Sequence, residues 1–99
     1  MTMSPLLVRR PHTLPMAEVR GRLERAARLA QERHHVAWRW RDGALEVYPP
    51  PGMAIGARGR VLVGESDLRI ELHLPIRYSP ARFAIESRLA SKLDDLLRA

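Results

Sequence analysis

The spacing of apolar residues changes along the chain, and each spacing predicts an element. Over residues 16–30 apolar side chains recur every three to four positions, which is the period of an amphipathic helix. Thr13 precedes this stretch as a candidate N-cap, and Pro15 suits the first helical turn. The pattern predicts a first helix that ends near His34-His35.

From Val36 onward the period changes to two, which predicts strands. Asp42-Gly43 is typical of a two-residue hairpin turn. The register that this turn predicts sets Trp40 opposite Leu45, Trp38 opposite Val47 and Arg39 opposite Glu46. Apolar side chains then share one face of the hairpin, and an ion pair lies on the other.

A second hairpin is predicted around the four-residue loop at positions 64–67. Gly59 lies on its apolar face opposite Leu72, where it leaves room for a bulky neighbour or a bulge. The other apolar pairs are Val63 with Leu68, Val61 with Ile70 and Ala57 with Leu74. The polar face pairs Arg60 with Glu71, Arg58 with His73 and Leu62 with Arg69.

The two ends of the chain add a strand and a helix. Leu6 to Arg10 form a short strand that Pro11 closes, and Ser79-Pro80 supplies an N-cap and a first helical residue. The resulting order β-α-β-β-β-β-α predicts an α+β two-layer sandwich, with a mainly antiparallel sheet and both helices on one face. We expect one domain over residues 1–99, with a loose terminus at 1–5.

Composition narrows the class of protein without identifying it. The 99 residues are 45% hydrophobic and 28% charged, and they include no cysteine, which excludes disulfides, thiolate nucleophiles and Cys-based zinc sites. The longest early apolar run, Leu6-Leu7-Val8, is far shorter than a signal-peptide core or a membrane span. We therefore expect a cytoplasmic protein.

The charge is strongly basic and dominated by arginine. There are 17 basic and 11 acidic residues, for a net charge of +6, and Lys92 is the one lysine. The predicted outer sheet face is either a solvated surface with cross-strand ion pairs, which we favour, or a surface that binds a polyanion such as RNA. The arginines that the predicted registers place there are Arg39, Arg41, Arg58, Arg60 and Arg69.

Candidate chemistry is sparse. No nucleophile-base pair or paired carboxylate stands out, and Gly52, Gly56 and Gly59 lack the Gly-Lys-Ser/Thr ending of a phosphate-binding loop. The four histidines lack the spacing of metal ligands, which favours polar surface positions for them. We expect no enzyme activity, no metal and no cofactor.

Two further stretches leave alternatives open. Trp38-Arg39-Trp40-Arg41 is similar to a stacking platform for nucleic-acid bases, although the register favours core packing of both tryptophans. The connection at positions 49–56 carries Met53 and Ile55, which either contact a partner or pack at the edge of the core.

Several of these segments together resemble one protein family. They are the opening Val8-Arg9-Arg10-Pro11-His12-Thr13-Leu14-Pro15, the Trp38-Arg39-Trp40 strand before Asp42-Gly43, the strand Ala57-Arg58-Gly59-Arg60-Val61, the alternating strand at 68–74 and the C-terminal helix. Over about residues 6 to 98 the chain resembles the small bacterial polyhydroxyalkanoic acid system proteins, named for a genomic region concerned with polyhydroxyalkanoate granules. It departs from them in a longer, proline-rich insertion between Pro49 and Gly56.

The resemblance implies a small, non-enzymatic cytoplasmic protein of polyhydroxyalkanoate storage. The family brings no established activity or catalytic residues, so the hypothesis is contact with the granule surface or a granule protein through Met53 and Ile55. A rival interpretation is an RNA- or ribosome-binding protein, since the element order and basic surface are also similar in outline to small ribosome-associated hibernation factors. A third is an interaction module that forms a homodimer through a sheet edge.

Overall fold

A computed structural model describes residues 4–50, 52 and 56–98. Within these residues the α+β fold and its element order β-α-β-β-β-β-α are as predicted, with a 3-10 helix (Ile76–Ala81) before the second α-helix. The elements are β1 (Leu6–Pro11), α1 (Met16–His34), β2 (Ala37–Arg41), β3 (Ala44–Tyr48), β4 (Arg58–Val63), β5 (Asp67–His73) and α2 (Arg82–Leu97).

The strands form one antiparallel sheet in the order β1-β5-β4-β3-β2. Hairpins connect β2 to β3 and β4 to β5, whereas β1 pairs with β5, which lies far from it in sequence. Leu6 lies opposite Leu72, and Val8 lies opposite Ile70. The sheet therefore has β1 and β2 as its edges.

Both predicted hairpin registers are confirmed, except for one pair. Trp40 lies opposite Leu45, and Val61 lies opposite Ile70. The predicted pairing of Ala57 with Leu74 is wrong, because β4 begins at Arg58 and β5 ends at His73, so the ladder stops one residue earlier.

Both predicted helix N-caps are wrong. Pro15 itself is the N-cap of α1, with extended backbone and without a side-chain cap, so Thr13 does not fill this role. In the second helix, Pro75 starts the 3-10 helix directly after β5, and that helix contains Ser79 and Pro80. Because Ile76–Ala81 form the 3-10 helix, α2 begins only after it, at Arg82.

The core lies between the sheet and the two helices. One buried cluster joins both helices to four strands, which confirms that the helices cover the same face, here called the inner face. Its members are Val19, Leu23 and Ala27 of α1, Leu93 of α2, and Val8, Leu45, Val61 and Leu68 of the strands.

His12 departs from the predicted polar surface position, because it is 8% exposed. Its Nε2 lies 2.9 Å from the carbonyl oxygen of Gly64, and its backbone N–H donates to the carbonyl of Ser66 over 2.9 Å. The residue thus joins the end of β1 to the loop between β4 and β5.

Gly59 lies on the inner face opposite Leu72, as predicted, and the ladder continues through it without a bulge. An apolar pocket of about 270 Å³ opens beside it. Residues that line this inner pocket include Val47, Val61, Ile70, Leu72 and Leu89.

Candidate functional site

The outer face of the sheet carries a lateral row of alternating charges. Glu46 lies between Arg39 on β2 and Arg60 on β4, and Arg60 lies opposite Glu71 on β5. Opposite charges on neighbouring strands stabilise a solvated antiparallel face. The row supplies the cross-strand ion pairs that the sequence predicts.

Glu46 holds the strongest contacts of this row. Its Oε1 accepts hydrogen bonds from Arg39 Nε over 2.9 Å and from the hydroxyl of Tyr48 over 3.0 Å. The hydrogen bond from Arg39 lowers the pKa of this carboxyl group, against the opposing effect of desolvation. Arg60 lies farther from its partner, with 3.8 Å between Nη1 and Oε2 of Glu71.

The remaining arginines of the predicted polyanion face are less neutralised. Arg41 and Asp42 are 4.0 Å apart between Nε and Oδ2, and both side chains are exposed. Among the described residues, no carboxylate forms an ion pair with Arg58 or Arg69. The outer face therefore keeps positive charge that its own carboxylates do not balance.

A shallow trough of about 430 Å³ crosses this face diagonally, from the β2–β3 turn to the end of β5. We call it the outer trough. Three of the predicted arginines line it, together with a histidine and a tyrosine. Its lining residues are Arg41, Asp42, Glu46, Tyr48, Arg58, Gly59, Arg60 and His73.

The tryptophans of the predicted stacking platform lie on the inner face and pack against the core cluster, which confirms the core-packing interpretation. Trp38 Nε1 donates to Gln31 over 2.9 Å, and Trp40 Nε1 donates to Glu24 over 3.1 Å. The guanidinium of Arg20 stacks 4.2 Å from the Trp40 ring centroid. Side chains of α1 thus hold both indole N–H groups and cover one face of the Trp40 ring.

Three of the exposed large apolar side chains lie toward the end of the sheet where β1 begins and β5 ends, with Leu7 on the outer face of β1 and Phe83 on α2. Phe83 is 83% exposed, Leu7 67% and Ile76 51%. Ile76 opens the 3-10 helix after β5. Arg82, which precedes Phe83, donates to the carbonyl of Ser4 just before β1 over 2.9 Å. We call Leu7, Ile76 and Phe83 the apolar end.

The predicted contacts Met53 and Ile55 lie outside the described residues. Their connection leaves β3 after Tyr48 and enters β4 at Arg58, at the same end of the sheet as Ile76. A Cβ built on Gly56 would lie 3.2 Å from Cγ of Pro75, which places the end of the connection beside the 3-10 helix.

Sequence reasoning missed the apolar end. Apolar residues recur at helical spacing in the second helix, at Ile85, Leu89, Leu93 and Leu96. Phe83 lies two positions before this stripe, and this offset was a usable signal that it points away from the core. Leu7 alternates with buried Leu6 and Val8 in β1, so its exposure also follows from period two. Neither signal shows that the two residues belong to the same end of the molecule.

The described part of the chain lacks two kinds of feature, a metal-binding cluster and a membrane-spanning helix. It contains no group of three or more His, Cys, Asp or Glu side chains that could hold a metal ion. None of the helices found there is both long and apolar enough to cross a membrane.

Comparison with known protein families places the chain in one of them. A family model described as "Putative polyhydroxyalkanoic acid system protein" matches residues 6–97. No curated protein and no solved structure gave a significant match. The match covers most of the chain and includes every segment that carries the resemblance in the sequence.

Proposed function

The chain belongs to the polyhydroxyalkanoic acid system family, and from this premise we propose that it is a non-enzymatic protein of polyhydroxyalkanoate storage. In this proposal it binds the granule surface or a granule protein. The observation that carries the proposal is the apolar end, where Phe83, Leu7 and Ile76 are all more than half exposed.

The chemistry of the apolar end suits a polyester surface. Such a surface presents alkyl groups and ester carbonyl oxygens, and the carbonyls accept hydrogen bonds without donating any. Phe83 and Ile76 supply apolar area that is otherwise left in water. Arg9 lies two residues from Leu7 on the outer face, and its Nε donates to Asp67 in an ion pair. Its side chain is 63% exposed, so its remaining guanidinium N–H groups supply donors at the rim.

The segment that contains Met53 and Ile55 belongs to the same proposal. Its flanking residues Tyr48 and Arg58 and the described Gly56 are at the sheet end that carries Ile76. The proposed contact surface therefore combines this connection with the apolar end. Deletion of residues 53–55 should weaken granule retention, and unchanged retention would remove the segment from the contact surface.

Flotation with purified polyhydroxyalkanoate granules tests the proposal. The protein is mixed with native and with protein-stripped granules at low and high salt, and the retained fraction is measured. Apolar contacts are not screened by salt, so retention on stripped granules at high salt supports direct surface binding. Retention on native granules alone supports binding to a granule protein, and no retention on either overturns the proposal.

A variant pair makes this test specific to the apolar end. Burial of a Phe side chain is worth about 1.5–3 kcal/mol, so Phe83→Ser should weaken granule binding roughly tenfold or more. Met16→Ser is the matched control, because Met16 is 37% exposed and lies at the opposite end of the sheet, where α1 begins. Equal loss in both variants would contradict a role for the apolar end.

A second candidate function is RNA binding through the outer face. The observation that favours it is the placement of all five predicted arginines on that face, with Arg58 and Arg69 lacking ion pairs among the described residues. RNA affinity should then fall steeply with salt. It should also be lost when Arg39, Arg41, Arg58 and Arg60 are reversed to Glu. Absent or salt-insensitive binding excludes this function.

A further inference from the structure

We propose that the outer trough binds the carboxylate end of a short hydroxyalkanoate, either a monomer acid or the terminus of an oligomer. The identity of the ligand rests on the proposed function, whereas the site itself rests on the geometry of the trough. This site lies on the outer face of the sheet, on β2 to β5, and it is separate from the apolar end.

The charges of the trough favour an anionic ligand. Arg41, Arg58 and Arg60 line it. Of the two carboxylates in the lining, Glu46 already accepts hydrogen bonds from Arg39 and Tyr48, and the side chain of Asp42 is 88% exposed at the hairpin turn. A ligand that brings its own oxyanion would balance the remaining positive charge.

Arg58 is the donor that is available to this oxyanion. It forms no ion pair or side-chain hydrogen bond within the described residues, and it lies directly opposite His73. A guanidinium group binds a carboxylate through two parallel N–H···O bonds, a geometry that lysine does not provide. Binding should therefore depend on the carboxylate and on this arginine.

The groups beside Arg58 suit the rest of a hydroxy acid. Tyr48 donates its hydroxyl proton to Glu46, and its oxygen accepts a long hydrogen bond of 3.4 Å from Arg39 Nη2. The oxygen keeps a second acceptor position for a ligand hydroxyl. The imidazole of His73 is a further hydrogen-bonding group in the same lining. Arg41 and Arg60 offer N–H donors for ester carbonyl oxygens.

The shape and lining of the trough restrict the size of the ligand. A volume of about 430 Å³ falls within the range of about 300–1,000 Å³ that small-molecule sites occupy. Its side chains are charged or polar, whereas the apolar inner pocket lies on the other side of the sheet behind Gly59. The trough thus favours short alkyl substituents over long ones.

Titration followed by amide NMR tests the proposal with the full chain. The probes are the linear dimer of 3-hydroxybutyrate with a free carboxylate, its methyl ester, inorganic phosphate and a U-rich RNA. The dimer acid should give saturable shifts at residues 58–60 and 73. Its affinity should fall at least tenfold in the methyl ester and in Arg58→Gln. Arg25→Gln is the matched control, because it removes the same charge from an exposed position on α1.

Each outcome decides for or against the proposal. Equal binding of acid and methyl ester, or an unchanged affinity in Arg58→Gln, overturns it. Phosphate binding as tight as that of the dimer acid also overturns it, in favour of an unspecific anion site. If RNA displaces the dimer at much lower concentration, the face serves the second candidate function instead.

Granule flotation separates this inference from the proposed function. Arg58→Gln should still be retained on granules at high salt, because the apolar end is intact. A wild-type protein that floats with granules but fails to bind the dimer acid overturns the trough site alone. A protein that binds the dimer acid but is not retained on granules overturns surface binding and leaves the trough site in place.

Discussion

At the residue scale, His12 connects the end of β1 to the loop between β4 and β5 by two hydrogen bonds. A carbonyl oxygen only accepts hydrogen bonds, so the contact between His12 and Gly64 requires the proton on Nε2. In the neutral ring Nδ1 is then an acceptor, and it is buried without a partner among the described residues. The ring contributes one hydrogen bond, at the expense of desolvating its second nitrogen.

His12→Ala tests the contribution of this contact to stability. The substitution removes the donor to a partly buried carbonyl and leaves a small cavity, so the free energy of unfolding should fall by about 1–3 kcal/mol. Urea denaturation measures the change. The exposed His34 supplies the control His34→Ala, which should shift stability by no more than about 0.5 kcal/mol, and equal effects in the two variants would contradict the role of His12.

The contact between Arg39 and Glu46 predicts a pH dependence of stability. The hydrogen bond from Arg39 holds the pKa of Glu46 in the folded protein below its usual 4.5. At acid pH the unfolded chain therefore binds more protons at this site, and stability falls as the pH drops below that value. Arg39→Gln removes this hydrogen bond. The stability of the variant should therefore decline less steeply than that of the wild type between about pH 5 and pH 3, the range in which carboxyl groups titrate.

Urea denaturation across this pH range measures the slope for the wild type and the variant. Arg28→Gln is the control. Nη2 of Arg28 lies 3.7 Å from Oε2 of Glu24 on α1, so this substitution removes an ion pair of the helix and leaves the sheet unchanged. A slope in Arg39→Gln equal to that of the wild type would contradict the assignment.

At the scale of elements, residues with positive φ mark the end of helix α1 and the turn of the first hairpin. His35 has φ 57° and its N–H donates to the carbonyl of Gln31 over 3.0 Å, which ends α1 where the sequence predicts. Asp42 and Gly43 both have positive φ, as a type I′ turn requires. These turns connect α1 to β2 and β2 to β3 without a long loop.

His35→Gly should stabilise the protein. A residue with a Cβ is strained in the left-handed conformation, and glycine is the preferred residue at this position after a helix. We expect the free energy of unfolding to rise by up to about 1 kcal/mol. The neighbouring His34→Gly places glycine in the last helical turn and should lower stability by about 0.5–1 kcal/mol. Thermal or urea unfolding of both variants checks the opposite signs, and a loss in His35→Gly would contradict the prediction.

At the scale of the whole molecule, Gly59 separates the outer trough from the inner pocket and lines both. A Cβ at this position would lie 3.6 Å from Leu72 Cδ1 and 4.0 Å from Val47 Cβ, which are ordinary contact distances. The sheet therefore has space for a side chain here, and the glycine leaves apolar area of the inner pocket uncovered.

Gly59→Ala should raise the free energy of unfolding by about 0.5–1 kcal/mol, because it restricts the unfolded chain and adds an apolar contact. Gly64→Ala is the matched control. A Cβ at Gly64 would collide with the side chain of Asp67 and lie 3.2 Å from its backbone oxygen, so this variant should lose stability. Urea denaturation distinguishes the two signs, and destabilisation by both would show that the inner pocket does not accept the methyl group.

Local patterns in the sequence predict much of this fold and part of its surface. The alternation around Asp42-Gly43 was enough to predict the register that places Arg39 opposite Glu46. The apolar residues that recur every three to four positions over residues 16–30 include Val19 and Leu23, and both are buried in α1. Hairpin registers and helix periods depend on neighbouring residues, so a single sequence carries them.

Other features depend on elements that are distant in the chain. The pairing of β1 with β5 and the burial of His12 against Gly64 follow from packing of the whole sheet. The helix starts at Met16 and Arg82 were mispredicted. Thr13 and Ser79 are typical cap residues, but the path that the chain takes out of each strand decides where the helix begins. The apolar end, too, required the tertiary arrangement of Leu7, Ile76 and Phe83.

The sequence by itself determined the α+β class, both hairpins, the family and the arginine-bearing face, because each depends on short-range periodicity or on residue order. The tertiary structure decided which of those arginines keep a carboxylate partner, how Arg41 of the first hairpin and His73 of the second come to line one trough, and where the exposed apolar groups lie. These features arise when strands far apart in sequence become neighbours, and the free energy of burial that brings them together is a property of the complete sheet with its helices.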